Sequence, residues 1–391
     1  MISECSFKLR ELRKQGYSNM REWIENDNNI YVGTKEQFIN NTGDDKFKYK
    51  ESKWINPFES IEKYVIYLFK SGLIYEIDEL KGKTIGCFCH EPRKSSQKPM
   101  CNSQVLADLI NRCYKPVEEL IKNKRLESSK KSKELITLTF GDAAENHKGM
   151  EQIGTKLAAG QGFNLNDLQI MSKRMKYLGV ECKLVSLSDM ITEKVPEAYV
   201  LVMKGAVTRL VENLGEGLSQ IDMFDEQKTL AYDKKVFMYG RVVNKHARWN
   251  LCFDDKSRGP TYEEKKGTIV SYDEVPLMKG LRDQLPIIFG KKAEDLKVES
   301  NYYYDTGKCG IGYHGDSERV KVIAIRIGYS SLPIYFQWFH NHKSVGDRIE
   351  IPLDPGDMYV MSEKAVGADW KKSSIYTLRH ATGCEKYVKK H

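Results

Sequence analysis

The sequence predicts a multidomain α+β protein that ends in a double-stranded β-helix, or jelly roll, preceded by two small α/β units. The 391 residues are too many for one ordinary hydrophobic core, so two or three domains are expected. Short alternating or aromatic segments closed by Gly, Pro or Asp follow one another in the C-terminal half, which predicts consecutive strands. Earlier in the chain strand-like and helix-like segments alternate, as in α/β units. We therefore divide the chain into residues 1–120, a linker at 121–134, a second unit at 135–218 and the jelly roll at 219–391.

The composition predicts a soluble intracellular protein. Hydrophobic residues make up 40% and charged residues 30% of the chain, as in ordinary globular domains. No apolar run approaches the roughly 20 residues of a membrane-spanning helix, and the N-terminus lacks the apolar segment of a signal peptide. The nine cysteines show no regular pairing, which indicates reduced thiols. We expect a protein of the cytoplasm or nucleus, or of a large DNA virus or phage, whose net charge of +8 favours polyanionic partners.

Residues 1–120 alternate between the two kinds of secondary structure. The segments 29–33 and 80–89 are predicted strands, and the segments 61–71 and 102–112 are predicted helices. The first helix carries its apolar residues at the helical spacing of about 3.6. This order predicts a small α/β domain.

The cysteines of this unit allow two interpretations. Cys87, Cys89 and Cys101, with His90 beside them, are residue types that bind zinc, but their spacing departs from the usual Cys-x2–4-Cys pattern. Two thiols on one face of a strand fit a buried core equally well. The unit also resembles a small uncharacterised domain of phage and bacterial proteins that has no assigned chemistry. The resemblance rests on the turn Asn56-Pro57-Phe58, the strand Gly86-Cys87-Phe88-Cys89 and a later Cys at a helix start.

A charged, Ser-rich run at 121–134 predicts a solvated linker to the second unit. That unit opens with a buried-looking strand at 135–140, and strand-like segments at 182–186 and 198–203 complete a predicted βαβαβ pattern. A polar loop follows the first strand and contains Asp142, Glu145, Asn146 and His147. Such a loop lies where α/β sheets bind ligands, and it is equally typical of a helix N-terminus that acidic residues cap.

The stretch 301–318 contains the first two candidate metal ligands of the C-terminal half. It contains His314 and Asp316, directly before a β-branched strand at 320–327. Side chains separated by one residue in an extended segment point to the same side, so these two can bind one ion together. A jelly roll brings distant residues to one mouth, and the last predicted strand is followed by His380. Two imidazoles and one carboxylate form the facial triad of non-haem iron, which leaves coordination positions open.

His340 and His342 are the alternatives to His380 as the third ligand. Both lie in a polar turn rich in Asn and Lys, where solvated histidines are the ordinary interpretation. We therefore expect iron on His314, Asp316 and His380.

From about residue 237 to its end, the chain resembles the AlkB-like branch of the iron(II)- and 2-oxoglutarate-dependent dioxygenases. The matching pieces occur in the order Asn301-x-Tyr303, His314-Gly-Asp316-Ser-Glu318, Leu353-x-x-Gly-Asp-x-x-x-Met361 and Arg379-His380. Each piece alone is weak, but the ordered set at this spacing is specific. The resemblance implies iron on His314, Asp316 and His380. It also implies that Asn301 and Tyr303 contact 2-oxoglutarate and that Glu318 contacts a substrate base.

The resemblance further implies a lid over the substrate. Its residues would be Tyr239, Arg241, Arg248 and Trp249. Aromatic faces can hold an extruded base while arginines bind phosphates. An ordinary aromatic hairpin is the competing interpretation of this segment.

One part of the family pattern is missing. AlkB-like enzymes carry an Arg-x-Asn-x-x-x-Arg signature after the distal His, and no arginine follows His380 here. In some other oxygenases a basic residue at a fixed distance after the distal His binds the tail of 2-oxoglutarate, and Lys389 or Lys390 stands at that distance here. A lysine supplies a charge without the bidentate fork of arginine. Arg326, in the strand after the metal pair, is a second candidate. Solvated tail lysines are the third interpretation.

These features predict a dioxygenase that uses Fe(II), 2-oxoglutarate and O2 to hydroxylate or demethylate a nucleobase in DNA or RNA. An N-alkyl group would leave as an aldehyde, whereas a carbon-bound methyl group would stay as a hydroxymethyl group. Two alternatives stay open. The missing arginine signature favours a protein side-chain hydroxylase, and loss of the co-substrate clamp would leave a catalytically inactive nucleic-acid-binding protein.

Overall fold

The computed structural model of the chain describes residues 3–6, 9–33, 82–87 and 132–389 continuously. It also describes short pieces between them, at 64, 67–68, 71, 73, 79–80, 101, 103–104 and 106–107. The chain divides into two compact units, one of residues 1–115 and 177–179 and the other of 116–176 and 180–391.

The N-terminal unit contains a three-stranded parallel sheet. Strand β3 (Thr84–Cys87) lies between β1 (Ser3–Ser6) and β2 (Asn29–Tyr31) and is parallel to both. Helices α1 (Leu9–Lys14) and α2 (Met20–Ile24) connect β1 to β2. Parallel strands need a crossover connection of this kind, since a tight hairpin joins only antiparallel strands.

Residues from several segments build the core of this unit. Val32, Tyr64, Leu68 and Ile85 are fully buried in it. Tyr64 and Leu68 belong to the helix predicted at 61–71, and most of that segment lies outside the described residues.

An eight-stranded sheet dominates the second unit. Its strands are β4 (Leu135–Gly141), β7 (Glu181–Ser186), β8 (Tyr199–Lys204), β11 (Trp249–Asp254), β12 (Ile269–Ser271), β13 (Lys297–Tyr303), β15 (Val322–Gly328) and β18 (Met358–Met361). The order across the sheet is β12-β11-β13-β4-β15-β18-β8-β7. Neighbouring strands are antiparallel except β11 and β12.

A second sheet has four antiparallel strands. They are β14 (Gly310–His314), β16 (Ile334–His340), β17 (Lys343–Ile351) and β19 (Thr377–Gly383). The order is β14-β19-β16-β17, so the last strand of the chain lies between two earlier ones.

Two hairpins, six α-helices and four short 3-10 helices (Ser188–Met190, Tyr262–Glu264, Tyr272–Glu274 and Lys291–Ala293) complete the described part of this unit. The hairpins pair β5 (Ala143–Glu145) with β6 (Gln152–Gly154) and β9 (Lys235–Met238) with β10 (Arg241–Asn244). The helices are α3 (Leu165–Tyr177), α4 (Ala206–Glu212), α5 (Gln220–Lys228), α6 (Pro276–Phe289), α7 (Glu363–Val366) and α8 (Glu385–Val388). Among the described residues, no helix has the length and apolar character needed to cross a membrane.

Strand β4 lies in the middle of the large sheet. It pairs with β13 on one side and β15 on the other, which places Thr137 opposite both Asn301 and Arg326. Strands β7 and β8 extend the same sheet beyond β18. The segment 135–218 therefore does not form the separate βαβαβ unit that the sequence predicted, because its strands are antiparallel and belong to the sheet of the C-terminal part. An alternation of strands and helices does not specify which distant strand becomes the pairing partner.

An apolar core joins the two sheets. Phe336, Trp338 and Leu378 from the small sheet are fully buried together with Val200 and Ala324 from the large one. The architecture is thus mixed α+β, with one large sheet and several small ones. The described strands form no closed barrel, since β12 and β7 are the free ends of the large sheet, and the jelly roll stays a prediction.

Replacing Trp338 by Ala should lower the free energy of unfolding by about 3–5 kcal/mol. The substitution removes a fully buried ring and takes away the indole N–H that donates to the Leu187 carbonyl at 2.8 Å. Urea unfolding followed by circular dichroism measures the change. The control is Tyr239→Ala, at an aromatic residue that is 88% exposed, and it should stay within about 0.5 kcal/mol of the wild type. Equal losses in the two variants would contradict the position of Trp338 in the core.

Candidate metal centre

His314 and His380 lie opposite each other on neighbouring strands. His314 ends β14, His380 lies in β19, and the two residues pair directly across the ladder. The register shifts between Ile311 and His314, and such an irregularity re-aims the side chains that follow it. The two imidazole ring centres are 4.5 Å apart. Both rings therefore face the same small volume.

Asp316 completes a group of three. Its Oδ1 atom is 3.6 Å from Nε2 of His314 and 3.5 Å from Nε2 of His380. One ligand atom from each of the three residues lies within 4.8 Å of the other two. In the part of the chain that the structure describes, no other three His, Cys, Asp or Glu side chains converge in this way. The structure thus brings together the three residues that the sequence predicted as ligands.

The position between the first two ligands requires glycine. Gly315 lies so close to Gly367 that an added Cβ would collide with the Gly367 carbonyl oxygen. The next residue, Asp316, donates its backbone N–H to the Val366 carbonyl at 3.0 Å. The close approach at Gly315 and this hydrogen bond fix Asp316 beside the end of β14.

The protonation states of His314 and Asp316 suit a cation. Burial and the neighbouring His380 lower the pKa of His314 to about 4, so its imidazole is neutral near pH 7. Burial acts to raise the pKa of Asp316, but the Arg319 guanidinium and both imidazoles outweigh burial and hold that pKa well below its usual value. Nδ1 of His314 is 2.8 Å from the Gly312 carbonyl, a contact that leaves Nε2 free to bind a metal. Two imidazoles and a carboxylate fit Fe(II).

The other two histidines of this region lie elsewhere. His340 stacks on Tyr376 with ring centres 4.6 Å apart, and Nδ1 of His342 is 3.4 Å from Nη2 of Arg379. His342 and Asn341 form the turn between β16 and β17, where both have positive φ angles. The prediction of a turn is thus confirmed for His342, whereas His340 is the last residue of β16. Neither histidine belongs to the group formed by His314, Asp316 and His380.

A cavity of about 580 Å³ is lined by the three ligands and by Arg326. The Arg326 guanidinium is buried, and it donates to the hydroxyl groups of Thr137 and, at 3.2 Å, Thr382. Its Nε has no partner among the described residues. The rings of Tyr303 and Tyr359 lie 6.0 and 5.8 Å from the guanidinium carbon. A buried cation whose described hydrogen-bond partners are neutral hydroxyls is a ready site for an anion.

Of the two candidate lysines of the tail, the structure describes Lys389. Lys389 is exposed, is 3.8 Å from the Glu385 carboxylate, and does not line the cavity. Lys390 lies outside the described residues. Of the two proposed co-substrate cations that the structure describes, Arg326 and Lys389, Arg326 therefore lines the cavity and Lys389 does not.

The predicted co-substrate residues Asn301 and Tyr303 both lie on β13 and line the cavity. Asn301 accepts a hydrogen bond from Nε of Arg248 at 2.5 Å and donates to Glu299 at 2.7 Å. This amide is already engaged within the protein. Its contacts fix the orientation of Arg248 at the cavity wall.

The predicted substrate-binding residues divide into two groups. Glu318 and Arg248 line the cavity. Trp249 does not, because its ring stacks on a neighbouring tyrosine with ring centres 4.5 Å apart. Tyr239, at the turn between β9 and β10, and Arg241 are exposed and also do not line the cavity.

The cavity also contains residues that the sequence assigned elsewhere or did not single out. Glu145 and His147, from the polar loop predicted as a ligand site of a separate unit, line the same cavity as the three ligands. Burial, reinforced by the Glu318 carboxylate, raises the pKa of Glu145 to about 7. Trp370 lines the cavity and donates its indole N–H to Ser317 at 2.9 Å. No sequence pattern marked Trp370, since it is a single aromatic residue in a polar stretch.

The N-terminal unit brings together two of the three cysteines predicted to bind zinc. The sulfur atoms of Cys87 and Cys101 are 3.4 Å apart, and the Ser103 hydroxyl is 3.2 Å from each. Cys89 and His90 lie outside the described residues. Zinc in this unit stays a prediction.

Comparison with known proteins supplies relatives without an assigned activity. Residues 17–112 match the family described as "Domain of unknown function (DUF4326)", which agrees with the predicted resemblance of the N-terminal unit to an uncharacterised domain. "Uncharacterized protein R156" of Acanthamoeba polyphaga mimivirus is 45% identical over 261 residues, which cover 66% of this chain and 98% of R156. "Uncharacterized protein R718" of the same virus is 39% identical over 79 residues, covering 18% of this chain and 58% of R718. Both relatives are viral proteins, consistent with the expected viral origin.

Replacing Gly315 by Ala should weaken binding of a divalent metal by about 10–100-fold, because the added methyl group pushes Asp316 away from the two imidazoles. Calorimetric titration with Co²⁺ measures the affinity. Gly312→Ala is the matched control on the same strand, since an added Cβ there meets its nearest atom at an ordinary 3.6 Å. Full affinity in the Gly315 variant would contradict the tight approach to Gly367.

Proposed function

The chain belongs to the family of the mimivirus protein R156, and we propose that the centre formed by His314, Asp316 and His380 makes it an Fe(II)- and 2-oxoglutarate-dependent dioxygenase. The proposed substrate is a nucleobase in DNA or RNA, which is hydroxylated or demethylated. The observation that carries the proposal is that one cavity holds both the three ligands and the buried cation Arg326. A dicarboxylic keto acid would need both: the metal to bind its keto-acid end and a cation to bind its distal carboxylate.

The ligand set supports iron(II) as the metal. Three protein ligands on one side leave three octahedral positions for the keto acid and for oxygen. Bound there, iron(II) with O2 and 2-oxoglutarate would supply the oxidising chemistry, with succinate and carbon dioxide as by-products. The protein keeps His314 neutral and Asp316 ionised, so that both are ready to bind a cation near pH 7.

Arg326 is the proposed partner of the distal carboxylate of 2-oxoglutarate. A guanidinium pairs with a carboxylate through two parallel hydrogen bonds, and its Nε has no other described partner. Tyr303 and Tyr359 flank the site and exclude water, which strengthens an ion pair. On this proposal the cation that binds the co-substrate comes from β15.

The remaining part of the cavity supports a nucleobase as the substrate. Carboxylates such as Glu318 accept hydrogen bonds from exocyclic amino groups, and Glu145 near its pKa can accept or donate. The ammonium groups of Lys148 and Lys371 lie 5.9 and 5.8 Å from the centre of the Trp370 ring. An aromatic face next to cations suits a base and its phosphates.

The positions of the predicted lid residues favour a second candidate, hydroxylation of a protein side chain. Tyr239, Arg241 and Trp249 do not line the cavity, so they lend less support to an extruded base than the sequence suggested. The third candidate, a catalytically inactive nucleic-acid-binding protein, is disfavoured by Arg326, since a site without a co-substrate has no use for a buried cation with neutral partners.

Incubation with iron(II), ascorbate and 2-oxoglutarate should release succinate, and oligonucleotides but not peptides should stimulate the release. His314→Ala and Asp316→Ala should reduce stimulated release to background, because each removes a ligand, while circular dichroism shows a retained fold. His340→Ala and His342→Ala are matched controls of the same residue type and should keep wild-type release. Mass spectrometry of the DNA and RNA then identifies the product. Stimulation by peptides alone would favour the second candidate, and undiminished release from both ligand variants would refute the assigned centre.

Replacing Arg326 by Met should raise the KM for 2-oxoglutarate by about 30–100-fold, which corresponds to about 2–3 kcal/mol for a lost charge-assisted pair. Arg326→Lys should give an intermediate value because it keeps the charge without the fork. Lys389→Met is the control and should leave the KM unchanged, since Lys389 does not line the cavity. A raised KM in Lys389→Met together with an unchanged KM in Arg326→Met would instead assign the distal carboxylate of 2-oxoglutarate to Lys389.

A further inference from the structure

Arg319 lies behind the metal-binding carboxylate. Its side chain is buried, and its Nε is 3.6 Å from Oδ2 of Asp316. The other carboxylate oxygen, Oδ1, is the one that faces Nε2 of His314 and Nε2 of His380. Asp316 thus directs one oxygen to the metal position and the other to a fixed cation.

Two glutamates hold the Arg319 guanidinium in place. Nη2 donates to Glu299 and, at 2.7 Å, to Oε1 of Glu318, and Nε donates to the same Oε1 at 2.9 Å. Arg319 and Glu299 are each less than one tenth exposed. A buried network of this kind is rigid, because moving one member leaves a charge without its partner. The guanidinium is therefore a fixed reference point beside Asp316.

We propose that Arg319 is a positioning residue that keeps Asp316 a one-oxygen ligand of the metal. The inference rests on the proposed metal centre. A carboxylate can bind a metal through one oxygen or through both. Binding through both would occupy a position that the keto acid or oxygen needs. By pairing with Oδ2, Arg319 holds the carboxylate in the orientation that leaves this position open.

The chain offers a matched control in Arg379. This arginine is also buried and adjoins a ligand, since it directly precedes His380. Its guanidinium packs 4.1 Å from the Phe339 ring and 5.2 Å from the Trp370 ring. Within the described residues it forms no ion pair with Asp316, so its removal changes a buried arginine near the centre without changing the contact at issue.

The number of water molecules on a bound metal reports the binding mode of Asp316. Manganese(II) accepts the same ligand types in octahedral geometry, so a facial triad with a one-oxygen carboxylate leaves three positions for water. The relaxation rate of water protons per bound manganese rises with that number. The measurement needs no turnover and no organic co-substrate.

Wild-type protein and Arg379→Gln should both bind manganese(II) and give the same relaxivity. Arg319→Gln should still bind it, but with a relaxivity lower by about one third, because the second oxygen of Asp316 replaces one of three waters. Unchanged relaxivity in Arg319→Gln, or loss of manganese binding by the folded variant, would overturn the role of Arg319 while leaving the metal centre intact. Failure of the wild-type protein to bind manganese would overturn the metal centre itself.

Arg319→Gln leaves the buried Glu299 and the partly buried Glu318 without their cation, and this change alone can unfold the protein. The double variant Arg319→Gln/Glu299→Gln removes one of those charges and offers a second chance to measure a folded protein. The same one-third fall in relaxivity is expected from it. A folded double variant that keeps the wild-type relaxivity would overturn the inference.

Discussion

The alignment of His314 with His380 across β14 and β19 is the constraint on which the rest of the site depends. Two imidazoles on paired strands face one volume only in this register, and a slip by one residue would turn one of them to the opposite face of the sheet. Asp316 joins them because Gly315 lets the chain pass against Gly367. Backbone geometry thus sets the positions of the three side chains.

The strand contributed by the earlier part of the chain gives the cavity much of its wall. Because β4 lies between β13 and β15, Thr137 meets Arg326, and the β5–β6 hairpin that follows brings Glu145 to the same cavity. Residues between 137 and 152, in the segment 135–218, are therefore part of the candidate site. Substitutions in this segment are therefore expected to affect the shape of the cavity as well as the stability of the sheet.

Two buried arginines of this cavity differ in their surroundings, and the difference separates their proposed roles. Arg319 lies among carboxylates, which fix it and use its charge within the protein. Arg326 has hydroxyl partners and aromatic walls, so its charge remains for a ligand. The net charge of a buried group together with its partners indicates whether it serves the fold or a bound anion.

Local pattern alone determined several features of this protein. The spacing of His314 and Asp316 indicated two ligands of one ion, and the alternation of short apolar segments marked the strands around them. The strand predictions succeed because side-chain direction in a strand repeats every two residues, whatever the strand pairs with. The two ligands meet for a different reason, since Asp316 lies beyond the end of β14 and the close approach of Gly315 to Gly367 fixes its position. The zinc ligands, the jelly roll and the substrate class stay predictions.

Only the tertiary structure decided which distant residues share the cavity. It placed Arg326 there and Lys389 on the surface, left Trp249 stacked on a tyrosine, and inserted β4 into a sheet that the sequence assigned to a separate unit. The physical reason is that strand pairing is a global choice: the hydrogen-bonding edge of β4 would fit many partners, and the packing of the whole core selects β13 and β15.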